Sequence, residues 1–296
     1  MTKAPNAANY HQTADRYMPV FRGDLLRILR GWRESVPQEA LFWYVSGAYD
    51  ASAIVRLIDM NREQEAETIG RSLTRVYALA RGRALADIAK APTSLREAIP
   101  AVVNPEAVAF LERYALDQVT GLTDDLVPAI RDILLRGQRE GLSVDRQARL
   151  IRDVIGLTPR MAAAVANVEA TIYAEGIASG MYPEAAEKAA KKAADAYSKR
   201  ALRERAETIA RTETIRAQNA GQVDAWKAAI NRGDLRGTAT KMWIVTPDDR
   251  LDKRICRPMA GVKVGIHEEF NTPAGAVEYP PAHPRCRCAV GIGSFE

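Results

Sequence analysis

Three cysteines are all that the 296-residue chain holds, and Cys256, Cys286 and Cys288 fall in its last forty-one positions. A disulfide-rich secreted scaffold is excluded by that count, and an odd number leaves at least one thiol outside any intramolecular pairing. Long apolar runs are also missing. The most apolar stretch, Ala40 to Tyr49, is about half the length a spanning helix needs and is closed by Asp50. The first residues, MTKAPNAANYHQ, lack the apolar core and small-residue cleavage site of a secretory signal, so the expectation is a soluble chain made and kept in a cytoplasm. No Walker A pattern and no G-x-G-x-x-G occur, which removes the usual phosphate loops. Aromatics make up 6%, too few for a series of base-stacking platforms.

What remains is a globular composition, 47% hydrophobic and 27% charged, rich in Ala, Leu, Arg and Glu. Its 42 Lys and Arg against 37 Asp and Glu give a net charge of +5, which suits an anionic partner without identifying one. The length predicts one or two domains. From about Tyr10 to Gln222 the pattern is helical almost throughout. Ala51 to Ala91 reads as one or two amphipathic helices, with Ile54, Leu57, Ile58, Ile69, Leu73, Val76, Tyr77 and Leu85 recurring at spacings of mostly three and four. Pro92 and Thr93 close it, and SLREAIPAVV reads as a connector. Asn104-Pro105 and Thr158-Pro159 are helix starts, a capping side chain before a proline that loses no hydrogen bond there. Gly121 and Gly141 read as breaks, and Ser143 opens a short helix ended by Gly156. Glu184 to about Ile230 is one Ala-rich charged helix; between Glu184 and Arg216 it has nine basic against six acidic residues. After Gly233 the texture changes, with KMWIVTPDDR, GVKVGI and CRCAVGIG reading as short strands.

The fold class predicted is mainly α, a multi-helix body followed by a small C-terminal α+β module closed by an HPxCxC segment. The division expected is an N-terminal helical region over 1–100, a central helical body over 101–232 and a β-containing module over 233–296.

Candidate chemistry concentrates in that module. Cys256, His283, Cys286 and Cys288 supply four potential ligands, the number a closed tetrahedral zinc site takes. An extended Cys-x-Cys would send both thiols to one face, although paired Cys-x-x-Cys knuckles are absent. The same residues also read as small buried hydrophobes with a hydrogen-bonded histidine, or as a disulfide with one thiol spare. A Cys256 nucleophile with His283 as base lacks any accompanying oxyanion feature. Asp248-Asp249 and Glu268-Glu269 could face a hard cation, but both pairs sit among turn residues where acidic pairs are ordinarily solvated. The basic helix from Lys188 to Arg216 could lie along phosphates, or simply be a solvated face with its interleaved acids. Arg211 and Glu213 fall on different faces of the long helix, so their partners are expected from elsewhere in the fold.

Four strings in fixed order carry a resemblance. They are IARTETIRAQNAGQ (Ile209 to Gln222), Trp243-x-Val with Asp248-Asp249-Arg250, an Arg-x-Cys and Met-Ala-Gly261-Val-Lys-Val turn (Arg254 to Val264), and YPPAHPRCRC (Tyr279 to Cys288). In that combination the chain resembles the phage Mu F-like head morphogenesis family, minor capsid proteins of tailed phages and prophages, over about Ala201 to Gly293. The motif residues carried over are Arg211, Thr212, Glu213, Asn219, Trp243, Asp249, Arg250, Gly261, Pro280, Pro281, His283, Pro284, Cys286, Arg287 and Cys288. Many members have Cys-x-x-Cys where this chain has Cys256-Arg-Pro-Met259, so one thiol of the family's set is replaced.

The resemblance implies a non-enzymatic protein of the virion, in the head interior near the portal vertex, present in the host cytoplasm during assembly. It implies the phage portal protein as partner, with major capsid or scaffolding protein and packaged double-stranded DNA as further ones, and no membrane. No catalytic residue and no cofactor are expected, apart from a structural zinc or a disulfide at Cys256, His283, Cys286 and Cys288. The alternative is a genome-associated DNA-binding or DNA-processing protein injected with the phage DNA. Some proteins with this module carry an appended toxin domain; this sequence ends eight residues after Cys288, and none is expected here.

Overall fold

The structure, a computed structural model, describes residues 10–47, 50–58, 60–88 and 105–294, and of residues 105–113, 116 and 294 the backbone alone. Its described helices are α1 (Gln12–Glu34), α2 (Gln38–Ser46), α3 (Ala51–Val55), α4 (Arg62–Ile88), α5 (Pro105–Asp124), α6 (Leu126–Glu140), α7 (Val144–Val154), α8 (Pro159–Ala178) and α9 (Pro183–Arg232). Five short strands follow: β1 (Thr240–Ile244), β2 (Lys263–Gly265), β3 (Phe270–Thr272), β4 (Gly275–Val277) and β5 (Ala289–Ser294). This is the predicted class, a helical body with a small C-terminal β module.

Local signals account for most helix ends. Ser143 accepts a hydrogen bond from the Arg146 amide and Thr158 one from the Met161 amide, each satisfying a free N–H of the first turn. Gly141 ends α6 in the left-handed region (φ 65°), with Leu142 N donating to Gly137 O at 3.1 Å, a 6→1 closure that a side chain there would strain. Helix α5 begins at Pro105; the Asn104 cap and the SLREAIPAVV connector lie outside the described residues. Gly121 does not break its helix. A Cβ there would meet nothing within 4 Å, so its cost is the propensity penalty of about 1 kcal/mol, and α5 runs on to Asp124.

By internal contacts the chain forms two units, each assembled from separated stretches. The first comprises the described residues within 1–23, 68–113 and 207–296; the second comprises those within 24–67 and 114–206. In the second, α2 and α6 pack on α7, α3 and α8 pack on α6, and Leu41, Ile54, Leu126, Ile130, Ile151, Val154 and Val165 are fully buried. Glu169, 1% exposed, is held there by Arg146 at 2.6 Å and Arg149 at 2.7 Å.

In the first unit, an antiparallel sheet in the order β2-β1-β5 lies beside the β3–β4 hairpin. The hairpin was not predicted; Thr272-Pro273-Ala274-Gly275 is its turn, and Thr272 Oγ1 donates to Gly275 O. Period-two alternation puts Lys241 and Trp243 on one face of β1, where the Trp243 ring meets Phe270 edge-on at 5.2 Å. These join Val223, Trp226, Ala229, Cys256, Met259, Ile266 and Val290 in one core. Gly221 serves a close approach rather than a bend: a Cβ on it would fall 2.4 Å from Tyr77 O of α4.

Candidate metal centre

The three thiols converge. Cys256 sits just before a 3-10 turn (Arg257–Met259) whose entry is fixed by Asp252: its Oδ1 accepts the amides of Arg254 at 2.8 Å and Ile255 at 2.6 Å. Those bonds hold the Asp252 carboxyl below its ordinary range. Cys286 and Cys288 alternate along the extended segment leading into β5. All three are buried to within 2% and unpaired, with Sγ atoms within 4.8 Å of one another. Cys256 Sγ lies 3.6 Å from Cys286 Sγ and 3.0 Å from His283 Nε2. The other ring nitrogen of His283 is committed: Nδ1 donates to Pro284 O at 2.8 Å, leaving Nε2 aimed at the sulfurs.

Without an ion, charge in this cluster divides unevenly. Hydrogen bonds from Cys256 and Cys288 hold Cys286 far below the ordinary thiol value, while the same contacts raise Cys256 and Cys288. His283 is raised to about 11 by its hydrogen bonds to Cys256 and Cys286, against burial.

The three sulfurs suit zinc, whereas His283, against Cys256 Sγ, lies outside the group of donor atoms that are all within 4.8 Å of one another. Two sulfurs about 2.3 Å from a tetrahedral ion stand about 3.8 Å apart, close to the 3.6 Å seen between Cys256 and Cys286. A disulfide needs about 2.05 Å and has not formed. A ligating histidine ordinarily gives its other N–H to a carbonyl, as His283 does to Pro284.

Around the cluster, side chains from distant parts of the chain hold its backbone. Asn219, fully buried on α9, donates to Pro280 O at 2.9 Å and Cys288 O at 3.4 Å and accepts from Val290 N at 3.4 Å. Thr212 Oγ1 accepts from the amide of Arg285, which is left-handed (φ 63°), and Arg285 Nε donates to Thr208 Oγ1 at 2.7 Å. Arg287 O receives Thr246 Oγ1 at 3.0 Å and His11 Nε2 at 2.9 Å. Gln218 Nε2 in turn donates to Tyr10 O, and its Oε1 accepts from Ala14 N at 2.9 Å, fixing the entry to α1.

Several motif residues are among these or lie close by. Thr212 and Asn219 bind the C-terminal segment; Pro280 and Pro281, joined by a cis peptide bond, are buried, and Pro284 supplies the carbonyl for His283. Trp243 is fully buried, and Gly261 (φ 77°) donates to Trp243 O at 2.9 Å.

One placement differs from expectation. Arg211 pairs with Glu207 at 3.1 Å and Glu213 with Arg216 at 3.2 Å, so both ion pairs lie along α9 itself, and Thr212 between them reaches across. Asp249 is exposed, and its neighbour Asp248 takes Arg287, with Nη1 to Oδ2 at 2.5 Å. Arg250 is exposed and donates only its amide, at 3.0 Å, to Asp248 Oδ1 among the bonds seen. Sequence reasoning missed His11, Thr208, Gln218 and Arg285. Their contacts span 73 to 276 positions, and the Pro-Arg-Cys spacing gave the one hint, for Arg285.

Residues 170–291 match the family model described as Phage Mu protein F like protein, about two fifths of the chain. Over that segment the chain is similar to the phage Mu F-like family. That similarity points to phage head morphogenesis, the role of the matched family. The match begins in α8, upstream of the motif strings, and takes in all of α9 and the sulfur cluster. The searches of curated proteins and of solved structures returned no match. No helix among the described residues is long and apolar enough to cross a membrane.

Proposed function

We propose that the protein is a minor head component bound to the portal vertex inside the head, where it assists procapsid assembly, DNA packaging or delivery. Its C-terminal module acts as a rigid docking body, held by a structural zinc on Cys256, His283, Cys286 and Cys288. The observation that carries this reading is the phage Mu F-like match over the segment whose motif residues converge on the backbone of 280–290. Metal there supplies folding energy and no chemistry: it replaces the thiol protons and ties the turn at Cys256 to the strand entry at Cys288. The portal contact is expected to be largely apolar, with major capsid or scaffolding protein as secondary partners.

The test is co-purification of the full chain with the portal protein of the same phage or prophage, at low and moderate salt, with elemental analysis of the same sample. A complex that survives moderate salt and about one zinc per chain are expected. Loss of the complex at either salt overturns the portal reading, and a zinc content near zero overturns the metal reading.

A second reading, a genome-associated protein delivered with the DNA, draws on the exposed cations Lys188, Lys191, Lys192, Lys199, Arg200 and Arg203 along α9. It predicts retention of duplex DNA with steep salt dependence in place of the portal complex.

A further inference from the structure

A cavity of about 290 Å³ in the second unit is lined by Arg30, Arg33 and Glu34 of α1 and by Lys199, Leu202 and Arg203 of α9. On each helix the lining positions stand three and four apart, so each set shares one face. Four cations thus meet one carboxylate. Just beyond the lining, Asp195 is engaged by Lys199 at 2.8 Å, while Asp153 and Arg152 act on Arg33 from α7. Arg30 and Arg203 have no ion-pair partner among the described residues.

Arg33 is the unusual member. Its Nε donates to Ile155 O at 2.8 Å, which fixes the plane of the guanidinium, yet Nη2 is buried with no hydrogen-bond partner among the described residues. Burial lowers Arg33 to about 10; Asp153 and Asp195 act against that, and Arg152 and Arg30 add to it. An unsatisfied buried donor on a charged group is costly, and an anion held beside the guanidinium offsets that cost through its charge. The acceptor this arrangement fits is a tetrahedral oxyanion. A guanidinium with a fixed plane offers parallel N–H donors, and the flexible Lys199 and Arg203 close around the remaining oxygens. A water occupies about 30 Å³, so the cavity has room for a phosphate group and several waters.

We propose that this cavity is a phosphate-binding site, with the half-buried Arg33 as its anchor and Arg30, Lys199 and Arg203 as its outer clasp. The phosphate comes either as the free ion or as a phosphodiester of nucleic acid. All six lining residues belong to the second unit, so the proposal stands apart from the portal reading and from the sulfur cluster.

The experiment uses the full chain and the double variant K199Q/R203Q, whose positions are both exposed and leave Arg33 in place. A second double variant, R139Q/R160Q, removes the same charge from exposed positions of the same unit outside the cavity. Inorganic phosphate is titrated calorimetrically at constant ionic strength, and a labelled DNA duplex is titrated by fluorescence anisotropy. Binding of one or both probes is expected to weaken about tenfold or more in K199Q/R203Q and less than about twofold in R139Q/R160Q. Cavity-dependent loss for phosphate alone identifies the free ion. The same loss for the duplex, with a salt slope reduced by about one or two, identifies a phosphodiester. No binding of either probe by the wild-type chain, or equal losses in both variants, overturns the site.

Discussion

Substituting Asn219 tests the reading that the motif exists to hold backbone. Its carboxamide is fully buried and makes one bond of ordinary length, to Pro280 O at 2.9 Å, and two long ones, to Cys288 O and from Val290 N, each at 3.4 Å. Replacing it with alanine strands two carbonyls and an amide inside the core. Counting about 1–3 kcal/mol for the group left unsatisfied at good geometry, and less for each long bond, N219A loses about 2–4 kcal/mol of local stability. N219D separates this account from simple space filling. The carboxylate has nearly the shape of the amide but no N–H, and it sets an acceptor against two carbonyl oxygens, so N219D should be at least as destabilising as N219A.

The three cysteines supply the assay, because all are buried in the affected module and none lies elsewhere in the chain. With chelator present, their reaction with an aromatic disulfide reports the fraction of time the module is open, provided opening is fast relative to labelling. At 1.4 kcal/mol per decade, N219A should label roughly 30- to 1,000-fold faster than the wild type. Labelling within about threefold of the wild type, or an N219D protein milder than N219A, refutes the hydrogen-bond argument and leaves Asn219 as a spacer.

Opposite signs are expected at two helical glycines: G121A, with open space around it, gains about 0.5–1 kcal/mol, whereas G221A drives a methyl towards Tyr77 O and loses about 2 kcal/mol or more despite its better propensity. Thermal melts decide, and a stabilised G221A would remove the close-packing explanation. Lys241 is fully buried, donates to Ile266 O at 3.0 Å and lies over the Phe270 ring at 5.6 Å. Burial lowers it to about 8, below the 10.5 of an unfolded chain. The unfolded state therefore binds more protons between those values, so the wild type gains stability relative to K241M as pH rises from about 8 to 10.5. Parallel urea stability curves for the two proteins across that window would contradict this. E169A leaves Arg146 and Arg149 facing each other without their shared carboxylate and should cost the second unit about 3–5 kcal/mol by urea denaturation; a loss under 1 kcal/mol would mean the arginines find other partners.

Helix ends were legible where the signal is local. Ser143, Thr158, Gly141 and Gly156 do in the fold what their chemistry says, since a cap satisfies groups two or three residues away. Gly121 misled because a missing Cβ is a weak penalty inside a helix whose neighbours already pack. The sulfur cluster was legible as a set of ligands, through Cys-x-Cys alternation and the nearby histidine, but its supports were not. His11 meets Arg287 across 276 positions and Gln218 meets Tyr10 across 208, and no periodicity encodes such a pairing. Asp248 and Asp249 are chemically equivalent in the sequence. The turn chooses between them, because Asp248 already accepts the Arg250 amide and so points its carboxylate at Arg287.

The same contacts explain why a run of polar residues sits buried on α9. The segment from Pro280 to Cys288 has no strand partner among the described residues, so its carbonyls and amides are not satisfied by a ladder, and buried backbone groups must find partners somewhere. Thr212 takes the Arg285 amide, Asn219 takes the Pro280 and Cys288 carbonyls, and His11 and Thr246 take the Arg287 carbonyl. Each is a side chain standing in for a missing strand. An apolar α9 face would bury the same area and leave those groups unpaired, and a true strand over 280–288 would be too straight to carry the left-handed Arg285 that turns Cys286 back towards Cys256. The irregular segment brings the thiols together, and the polar face of α9 is what makes an irregular segment tolerable in a core.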